Sequence, residues 1–227
     1  MVKTTRKYQM SALGNKKENE VDAPKPNPPK RQKKARSAGW ADALLKFLDD
    51  PSDSAVVYLD DEVMAIKDKF PKAKHHYLVM PRDTRYASIG DLTPDDMPLL
   101  KHMERVANKL VNDNNTIHDE NESPDLEFPD YKYGFHAVPS MNHLHMHVIS
   151  QDLDSSCLRH KKHWNSFTTT FFVPLEEMMI AVESGEAVDF SYRSNRLSDG
   201  LKCHHCGKAQ ISIPKLKEHI RSCESDC

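Results

Sequence analysis

The sequence predicts an α+β fold, in which helices flank an antiparallel sheet and a small module of different character follows at the C-terminal end. Two observations predict the sheet: short β-type runs follow one another in pairs, and polar turns join the runs of a pair. A third observation predicts a flanking helix, because apolar residues recur at helical spacing between residues 91 and 113. The last thirty residues instead concentrate cysteine and histidine.

The first 36 residues predict a disordered basic tail. Residues 1–38 contain eleven Lys/Arg and three Asp/Glu, although the net charge of the whole 227-residue chain is −2. The segment "APKPNPPKRQKKARS" is rich in proline and nearly without apolar side chains, so it cannot bury enough surface to offset its ordering entropy. Its basic run resembles a nuclear import signal or a nucleic-acid arm, and a solubilising tail is the alternative interpretation. We therefore expect the nucleus as the main compartment and the cytoplasm as a second one.

Ordered structure is expected from Ser37, which can cap a helix in "SAGWADALLKFLDD". Two short strands around the acidic turn Asp60-Asp61 follow, and "KHHYLVMPR" predicts a third strand that Pro81 ends. A long helix comes next, with Thr93 as its cap and Pro94 at its first position. No apolar run approaches bilayer-spanning length, so no membrane partner is expected.

The second half predicts two more strands and a short helix. "YKYGFHAVPS" and "NHLHMHVIS" predict paired strands with a turn near Pro139. "SFTTTFFVPLEEMMIAVESG" predicts a β-type run that leads into a helix, which begins at Pro174 and is ended by Gly185.

Three histidines alternate with apolar residues in "HLHMHVI". Because successive side chains of a strand face opposite sides, His143, His145 and His147 are expected on one face. The opposite face is expected to turn the alternating apolar residues toward a core, namely Leu144, Met146 and Val148. The histidines can be buried core residues, metal ligands or a catalytic group. Catalysis is chemically favoured, because a neutral imidazole attacks phosphorus well and its neighbours can stabilise phosphate oxygens.

The C-terminal module predicts a structural zinc site. Four residues have the spacing C-x2-C-x12-H-x3-C of a zinc finger, with cysteine in place of the usual last histidine: Cys203, Cys206, His219 and Cys223. The first two come from a turn and the last two from one face of a helix, where residues four apart are neighbours. A finger of this kind can bind DNA, RNA or protein, and zinc is expected to supply most of its folding energy.

The triad pattern resembles the histidine triad superfamily of nucleotide hydrolases and transferases. Further segments are similar to that superfamily, namely "AIKDKFPKAKHHYLV", "GFHAVPSMNH" and "HVISQDLDSSCLRHKKHWNSF". Combined with the finger, they resemble its branch of DNA-repair deadenylases, with Cys223 as a departure from the branch's usual histidine. The resemblance implies a histidine triad antiparallel sheet in a catalytic domain over 37–197 and a C2HC zinc finger over 198–227.

The resemblance also implies the roles of individual residues. His145 would be the nucleophile that takes up AMP, His143 would orient it, and His147 would hydrogen-bond phosphate oxygens. In the nucleotide pocket, Asp68 would bind the ribose, Ile66 would form a wall of the base pocket, and Ser140 and Met141 would contact phosphate. Lys72, His76 or His136 would screen the charge of the leaving group. Trp40 would stack on a terminal base pair, and the DNA backbone would be contacted by Arg159, Lys161, Lys162 and His163. Core packing is the alternative for Ile66 and Trp40, and an exposed basic strand end is the alternative for Lys72 and His76.

The function implied by the resemblance is removal of AMP from 5′-adenylated DNA nicks or ends, the intermediates of abortive ligation. AMP would be a product, and the chemistry would need neither a catalytic metal nor a redox cofactor. One alternative is a general histidine triad hydrolase of dinucleoside polyphosphates or AMP–amine conjugates. Another is a zinc-finger nucleic-acid-binding protein with an inactive triad. If the finger only adds DNA contacts, zinc removal is expected to weaken DNA binding more than it slows hydrolysis of a small substrate.

Overall fold

The computed structural model describes residues 38–116 and 130–223, which fall in one compact unit. The strands in these ranges are β1 (Val56–Leu59), β2 (Val63–Lys67), β3 (His76–Pro81), β4 (Tyr131–His136), β5 (Met146–Ser150) and β6 (Phe172–Pro174). The α-helices are α1 (Ala38–Ala41), α2 (Leu45–Asp49), α3 (Met97–Thr116), α4 (Lys161–Thr168), α5 (Leu175–Glu183) and α6 (Ile213–Ile220). None of these helices combines the length and the apolar character that a membrane span needs. The predicted tail over 1–36 lies outside the described residues.

The six strands form one antiparallel sheet in the order β1-β2-β3-β5-β4-β6, as the α+β prediction required. β1 and β2 are joined through the predicted acidic turn, where Asp60 accepts hydrogen bonds from the backbone N–H groups of Glu62 and Val63. β3 ends at Pro81, as predicted. The sheet therefore places β5, which carries the last triad histidine, between β3 and β4.

The first two triad histidines precede the regular ladder, which corrects the prediction of one continuous strand. β5 begins at Met146, and His143 has a positive φ of 79°. The backbone N–H of Leu144 donates to the carbonyl of Tyr86 at 2.8 Å, so the loop after β3 holds this segment instead of a neighbouring strand. The alternation of faces nevertheless persists, because the side chains of Leu144, Met146 and Val148 enter the main core as predicted.

One face of the sheet packs against α3 and α5. The predicted helix start is confirmed: Pro94–Asp96 forms a 3₁₀ turn that leads into α3, and Asp96 and Thr93 form a capping box. Apolar side chains recur on the buried side of α3 at the predicted spacing: Leu100, Met103, Val106 and Leu110. α5 follows Pro174, and Gly185 lies just beyond its end with a φ of 72°, also as predicted.

The opposite face of the sheet is covered in two separate places. Near the β2 and β3 side, the segment 38–49 packs Leu44 against Ile66 and Leu78. This segment forms two short helices, α1 and α2, instead of the single helix that the apolar spacing predicted. Near the β4 and β6 side, α4 and the C-terminal module form a second cluster, which includes Trp164 and Leu216.

The helix α4 was not predicted from the sequence, which indicated only a basic patch and a β-type run there. Its eight residues include His163 and Thr168, neither a strong helix former, and a helix this short is marginal alone. Tertiary packing holds it: Trp164 and Phe167 are both almost fully buried. α4 is thus the element that joins the sheet to the finger.

Gly134 permits a close approach between β4 and β6. A Cβ atom at this position would lie 2.3 Å from the carbonyl oxygen of Val173 and 2.6 Å from Cε1 of Phe172. Neither the paired strand nor the buried ring can move away without disturbing the sheet. The absent side chain at Gly134 is therefore what allows Phe172 to lie against the β4 backbone beneath the histidines.

We predict that Gly134→Ala lowers the free energy of unfolding by about 1–3 kcal/mol, the usual cost of forcing extra volume into a packed core. Denaturant unfolding of the purified chain measures the change. Gly200→Ala is the matched control, because nothing lies within 4 Å of the Cβ position there. Equal stability of the two variants would contradict the packing argument.

Candidate active site

The three triad histidines are buried, with exposed fractions of 2% for His143, 5% for His145 and 3% for His147. The rings of His145 and His147 lie 5.1 Å apart in an edge-to-face arrangement. Nε2 of His143 lies 2.6 Å from the carbonyl oxygen of Pro81, at the end of β3. The structure therefore brings the triad together at the end of the central strand pair.

Hydrogen bonding defines the tautomer of His145. Its Nδ1 lies 2.8 Å from the backbone carbonyl oxygen of His143, which can only accept, so Nδ1 carries the proton. Nε2 then keeps its lone pair, and among the described residues it has no hydrogen-bond partner. The residue expected to orient the nucleophile thus does so through its main chain, whereas its own ring is anchored to Pro81. A neutral imidazole with a free Nε2 lone pair is a competent nucleophile.

A second chain of hydrogen bonds defines the tautomer of His147. The backbone N–H of Lys72 donates to Nδ1 of His76 at 3.2 Å, so the proton of His76 lies on Nε2. That Nε2 lies 2.9 Å from Nδ1 of His147 and donates to it. The proton of His147 therefore lies on Nε2, an atom that is buried and has no partner in the structure. This arrangement leaves a neutral N–H donor available for a ligand oxygen.

His136 of β4 completes the cluster from the other side. Its ring centroid lies 4.2 Å from that of His147, and its own Nε2 is buried without a partner. The ring of Phe167 lies 4.8 Å from that of His136 and 5.2 Å from that of His147. His136 and His147 thus share the ring of Phe167 in α4, and Phe172 of β6 makes a further contact with His136.

Burial keeps these imidazoles neutral near pH 7, because an apolar environment disfavours the charged form. It lowers the pKa of His76 to about 4, with the nearby Asp68 carboxylate opposing the shift and the Lys72 ammonium adding to it. Burial also lowers the pKa of His145, where the same carboxylate again opposes the shift. For His136 and His147 burial drives the pKa well below its usual range.

The predicted nucleotide-binding residues lie around this cluster in different environments. Asp68 follows β2, and its Oδ2 lies 3.6 Å from Nδ1 of His76. Lys72 turns its ammonium back to the carbonyl of Phe70. Ser140 is exposed, and Met141 packs against the Leu44 side of the sheet. Ile66 is buried in that same apolar cluster, the position that its core-packing alternative describes.

The predicted DNA-contacting residues lie at the start of α4, with one exception. Arg159, Lys161 and Lys162 are all exposed. Nε of Arg159 donates to the carbonyl of Ser156 at 2.9 Å, and Nζ of Lys161 donates to that of Ser198 at 2.8 Å. Nδ1 of His163 accepts from the backbone N–H of Arg159 at 3.3 Å. Trp40 lies in α1, and its side chain is outside the description that the structure gives.

The four predicted metal ligands converge, with their donor atoms all within 4.8 Å of one another: Cys203, Cys206, His219 and Cys223. The sulfur atoms of Cys203 and Cys223 are 3.8 Å apart, and Sγ of Cys206 is 3.2 Å from Nε2 of His219. Tetrahedral zinc with Zn–S bonds of ~2.3 Å needs sulfur atoms about 3.8 Å apart, so the donor set fits structural zinc.

Comparisons with known proteins agree with both modules. Residues 42–163 match the family described as "Scavenger mRNA decapping enzyme C-term binding", and residues 168–225 match a "C2HE / C2H2 / C2HC zinc-binding finger". The chain is 43% identical to aprataxin of Danio rerio over 191 residues, which is 83% of this chain and 55% of the relative. It is 31% identical to the aprataxin-like protein of Schizosaccharomyces pombe over 202 residues, which is 83% of each chain.

Solved structures show the same similarity. The structure described as "aprataxin ortholog Hnt3 in complex with DNA" superposes with a TM-score of 0.60 at 31% identity, over 80% of this chain and 93% of that one. A second structure, of Hnt3 with DNA and guanosine, gives a TM-score of 0.57 at 29% identity, with 80% and 94% covered. The chain spans about half the length of the aprataxins of Danio rerio, Ciona intestinalis and Gallus gallus, between 53% and 55%.

The fold, the buried triad and the ligand set define a histidine triad superfamily protein with a C-terminal zinc-binding finger. Within that superfamily, the chain belongs to the aprataxin family. The finger description includes the C2HC arrangement, so Cys223 as the fourth ligand is within the family's range.

Residues far from the triad in sequence support the cluster, and they were not predicted. Phe167 contacts three of the histidine rings, and the carbonyl oxygens of Pro81 and Tyr86 hold the triad segment. Nothing in the local sequence distinguishes Phe167 from an ordinary core phenylalanine. Main-chain carbonyl groups carry no sequence signal, since every residue has one.

We predict that the chain loses stability as the pH falls from about 6.5 toward 4. The unfolded chain binds protons at its histidines below pH ~6.5, whereas buried His76 resists protonation until about pH 4, so unfolding takes up protons in this window. The free energy of unfolding should therefore be constant above this window and decrease within it. Urea unfolding at a series of pH values measures the effect, and a flat profile from pH 7 to 4.5 would contradict neutral burial of the cluster.

Proposed function

We propose that this chain removes AMP from 5′-adenylated DNA ends through a covalent intermediate on His145. The observation that carries the proposal is the free Nε2 lone pair of a buried neutral imidazole, held by the carbonyl of His143 and placed 5.1 Å, ring to ring, from the donor His147. The relatives support the substrate class, since a solved aprataxin ortholog is described in complex with DNA.

In the first step, the lone pair on Nε2 of His145 forms a bond to the phosphorus of the AMP group. The bond from that phosphorus to the bridging oxygen breaks, and its electron pair leaves with the DNA 5′-phosphate. A phosphate is a good leaving group, so screening by the Lys72 ammonium can replace full protonation. The imidazole becomes a cation, which the carbonyl oxygen of His143 stabilises through Nδ1–H.

In the second step, water attacks the same phosphorus and the bond to Nε2 breaks. The electron pair returns to His145, AMP departs, and the proton released by water passes to solvent. In both steps Nε2–H of His147 donates to a phosphate oxygen, and Asp68 binds the ribose hydroxyls from the end of β2. The net reaction converts adenylated DNA and water into AMP and a DNA 5′-phosphate.

The DNA strand would lie beside the start of α4, where Arg159 and Lys162 present exposed positive charge next to the histidine cluster. Lys72 adds to this positive charge: burial lowers the pKa values of His76, His136 and His163, and the Lys72 ammonium lowers them further. We also propose a nuclear location, which rests on the basic run between residues 30 and 36. Expression of the chain with and without that run, followed by imaging, tests the location.

We predict that His145→Ala abolishes AMP release from 5′-adenylated nicked DNA, because the substitution removes the imidazole that takes up the nucleotidyl group in the first step. Acid-quenched reactions analysed by mass spectrometry should locate an AMP adduct on His145 in the unsubstituted chain. His102→Ala is the matched control, since His102 is a histidine of α3 that interacts with Asp60 and Glu62 outside the cluster.

Two other outcomes would favour the alternative functions. Equal turnover of adenylated DNA and a small AMP–lysine conjugate would indicate a general histidine triad hydrolase. DNA binding with no turnover of either substrate would indicate a nucleic-acid-binding protein with an inactive triad. An adduct on another residue would contradict the assignment of His145.

We predict a steep loss of DNA affinity with rising salt concentration, as counterion release from phosphate contacts requires. Replacing Arg159 and Lys162 by glutamine should reduce the slope of log affinity against log salt by about 1 per lost contact. Lys101→Gln is the control, because Lys101 is exposed on α3, on the opposite face of the sheet. An unchanged slope in the double variant would place the DNA backbone elsewhere.

A further inference from the structure

We infer that the zinc finger holds Phe167 of α4 against the catalytic histidines. Zinc occupancy therefore controls the rate of hydrolysis even on a small substrate. The inference rests on the proposed function, which makes these histidines catalytic. It differs from the expectation that the finger only adds DNA contacts. Phe167 is in this sense a positioning residue, because it acts on the reaction through the imidazoles that it contacts.

The finger and α4 share one apolar cluster. From the finger it contains Leu201, Cys203, Ile213 and Leu216, with Ile220 and Cys223 packed against it. Two of the four zinc ligands, Cys203 and Cys223, therefore belong to the same packed unit as Trp164 and Phe167. The indole N–H of Trp164 also donates to the carbonyl of Lys202 at 2.9 Å, directly beside a zinc ligand.

Phe167, three residues after Trp164 and on the same side of α4, also contacts the histidines. The ring of Phe167 lies 5.3 Å from that of His76, 4.8 Å from that of His136 and 5.2 Å from that of His147. Its contacts with His76 and His147 are edge-to-face. These two histidines form the hydrogen bond that fixes the tautomer of the phosphate donor. One phenylalanine thus contacts both partners of that bond and, through its cluster, the finger.

A second set of contacts connects the finger to the end of β5. Nε2 of His204, which follows Cys203, lies 2.8 Å from the carbonyl oxygen of Gln151, four residues beyond His147. The guanidinium of Arg221 makes two hydrogen bonds to the carboxylate of Asp154, at 2.6 and 3.1 Å. The strand that carries His147 and the helix that carries Phe167 are therefore both attached to the finger.

Loss of zinc is expected to unfold the finger, since zinc supplies the folding energy of such modules. α4 would then lose much of its apolar cluster and the acceptor of its indole, and an eight-residue helix is marginal without tertiary packing. Displacement of Phe167 would release His76 and His147 from their present geometry. A displacement of ~1 Å in a catalytic group can cost about 100-fold in rate.

The test measures hydrolysis of an AMP–lysine conjugate by the full chain before and after zinc removal with a chelator, and after zinc is restored. Cys206→Ser removes an exposed ligand as a second route to zinc loss. Phe167→Leu tests the contact itself in the zinc-loaded chain. Phe190→Leu is the matched control, because it shortens another buried phenylalanine, in the core on the far side of the sheet. Imidazole resonances in ¹⁵N-histidine spectra report the cluster independently of activity.

We expect zinc loss and Phe167→Leu each to lower kcat on the small substrate by about 100-fold, with little change in KM. Both changes should also shift the resonances of His76 and His147. Phe190→Leu should alter neither kcat nor these resonances. Unchanged kcat and resonances after zinc loss would overturn the inference. Circular dichroism would reveal whether zinc removal unfolds the whole chain. In that case, unchanged kcat and unchanged resonances in zinc-loaded Phe167→Leu would overturn the inference. Failure of the unsubstituted chain to hydrolyse any adenylate would contradict only the proposed function. The resonances would still test the contact of Phe167 with His76 and His147.

Discussion

The site depends on the burial of neutral imidazoles whose protons are placed by main-chain groups. A buried imidazole needs a partner for at least one of its nitrogen atoms, and the carbonyl oxygens of Pro81 and His143 and the N–H of Lys72 supply these partners. Each partner is fixed in its role, as a backbone carbonyl only accepts and a backbone N–H only donates. Main-chain groups therefore set the tautomers of His143, His145 and His76, and the side chain of His76 in turn sets that of His147.

The sheet creates the conditions for that burial. Its helix-covered face is a conventional apolar core, whereas the other face is covered at two ends, by the segment 38–49 and by α4 with the finger. The histidines of β3, β4 and β5 adjoin these two coverings. They are sufficiently buried from water to remain neutral, whereas the basic residues at the start of α4 are exposed to solvent. The proposed reaction at a DNA end needs this combination of a site shielded from water and a charged margin.

Features that depend on nearby residues were predictable from the sequence, and features that depend on distant residues were not. The cap at Thr93, the strand end at Pro81 and the four zinc-ligand positions each follow from spacing within a few turns or strands. The left-handed conformation of His143 could not be predicted, because Pro81 and Tyr86, more than fifty residues earlier, hold that segment. The helix α4 was missed for a related reason: its local propensity is weak, and Trp164 and Phe167 stabilise it only through contacts with the sheet and the finger.

The shared cluster also bears on how the molecule loses its structure. A finger that contributes Leu201 and Leu216 to the same core as Ile149 of the central strand cannot melt without exposing that strand. Cutting the chain near residue 198 would leave the indole of Trp164 without its acceptor and a patch of apolar surface in water, the usual origin of aggregation in truncated proteins. The two modules therefore share one core around α4, and loss of either module leaves apolar surface of the other in water.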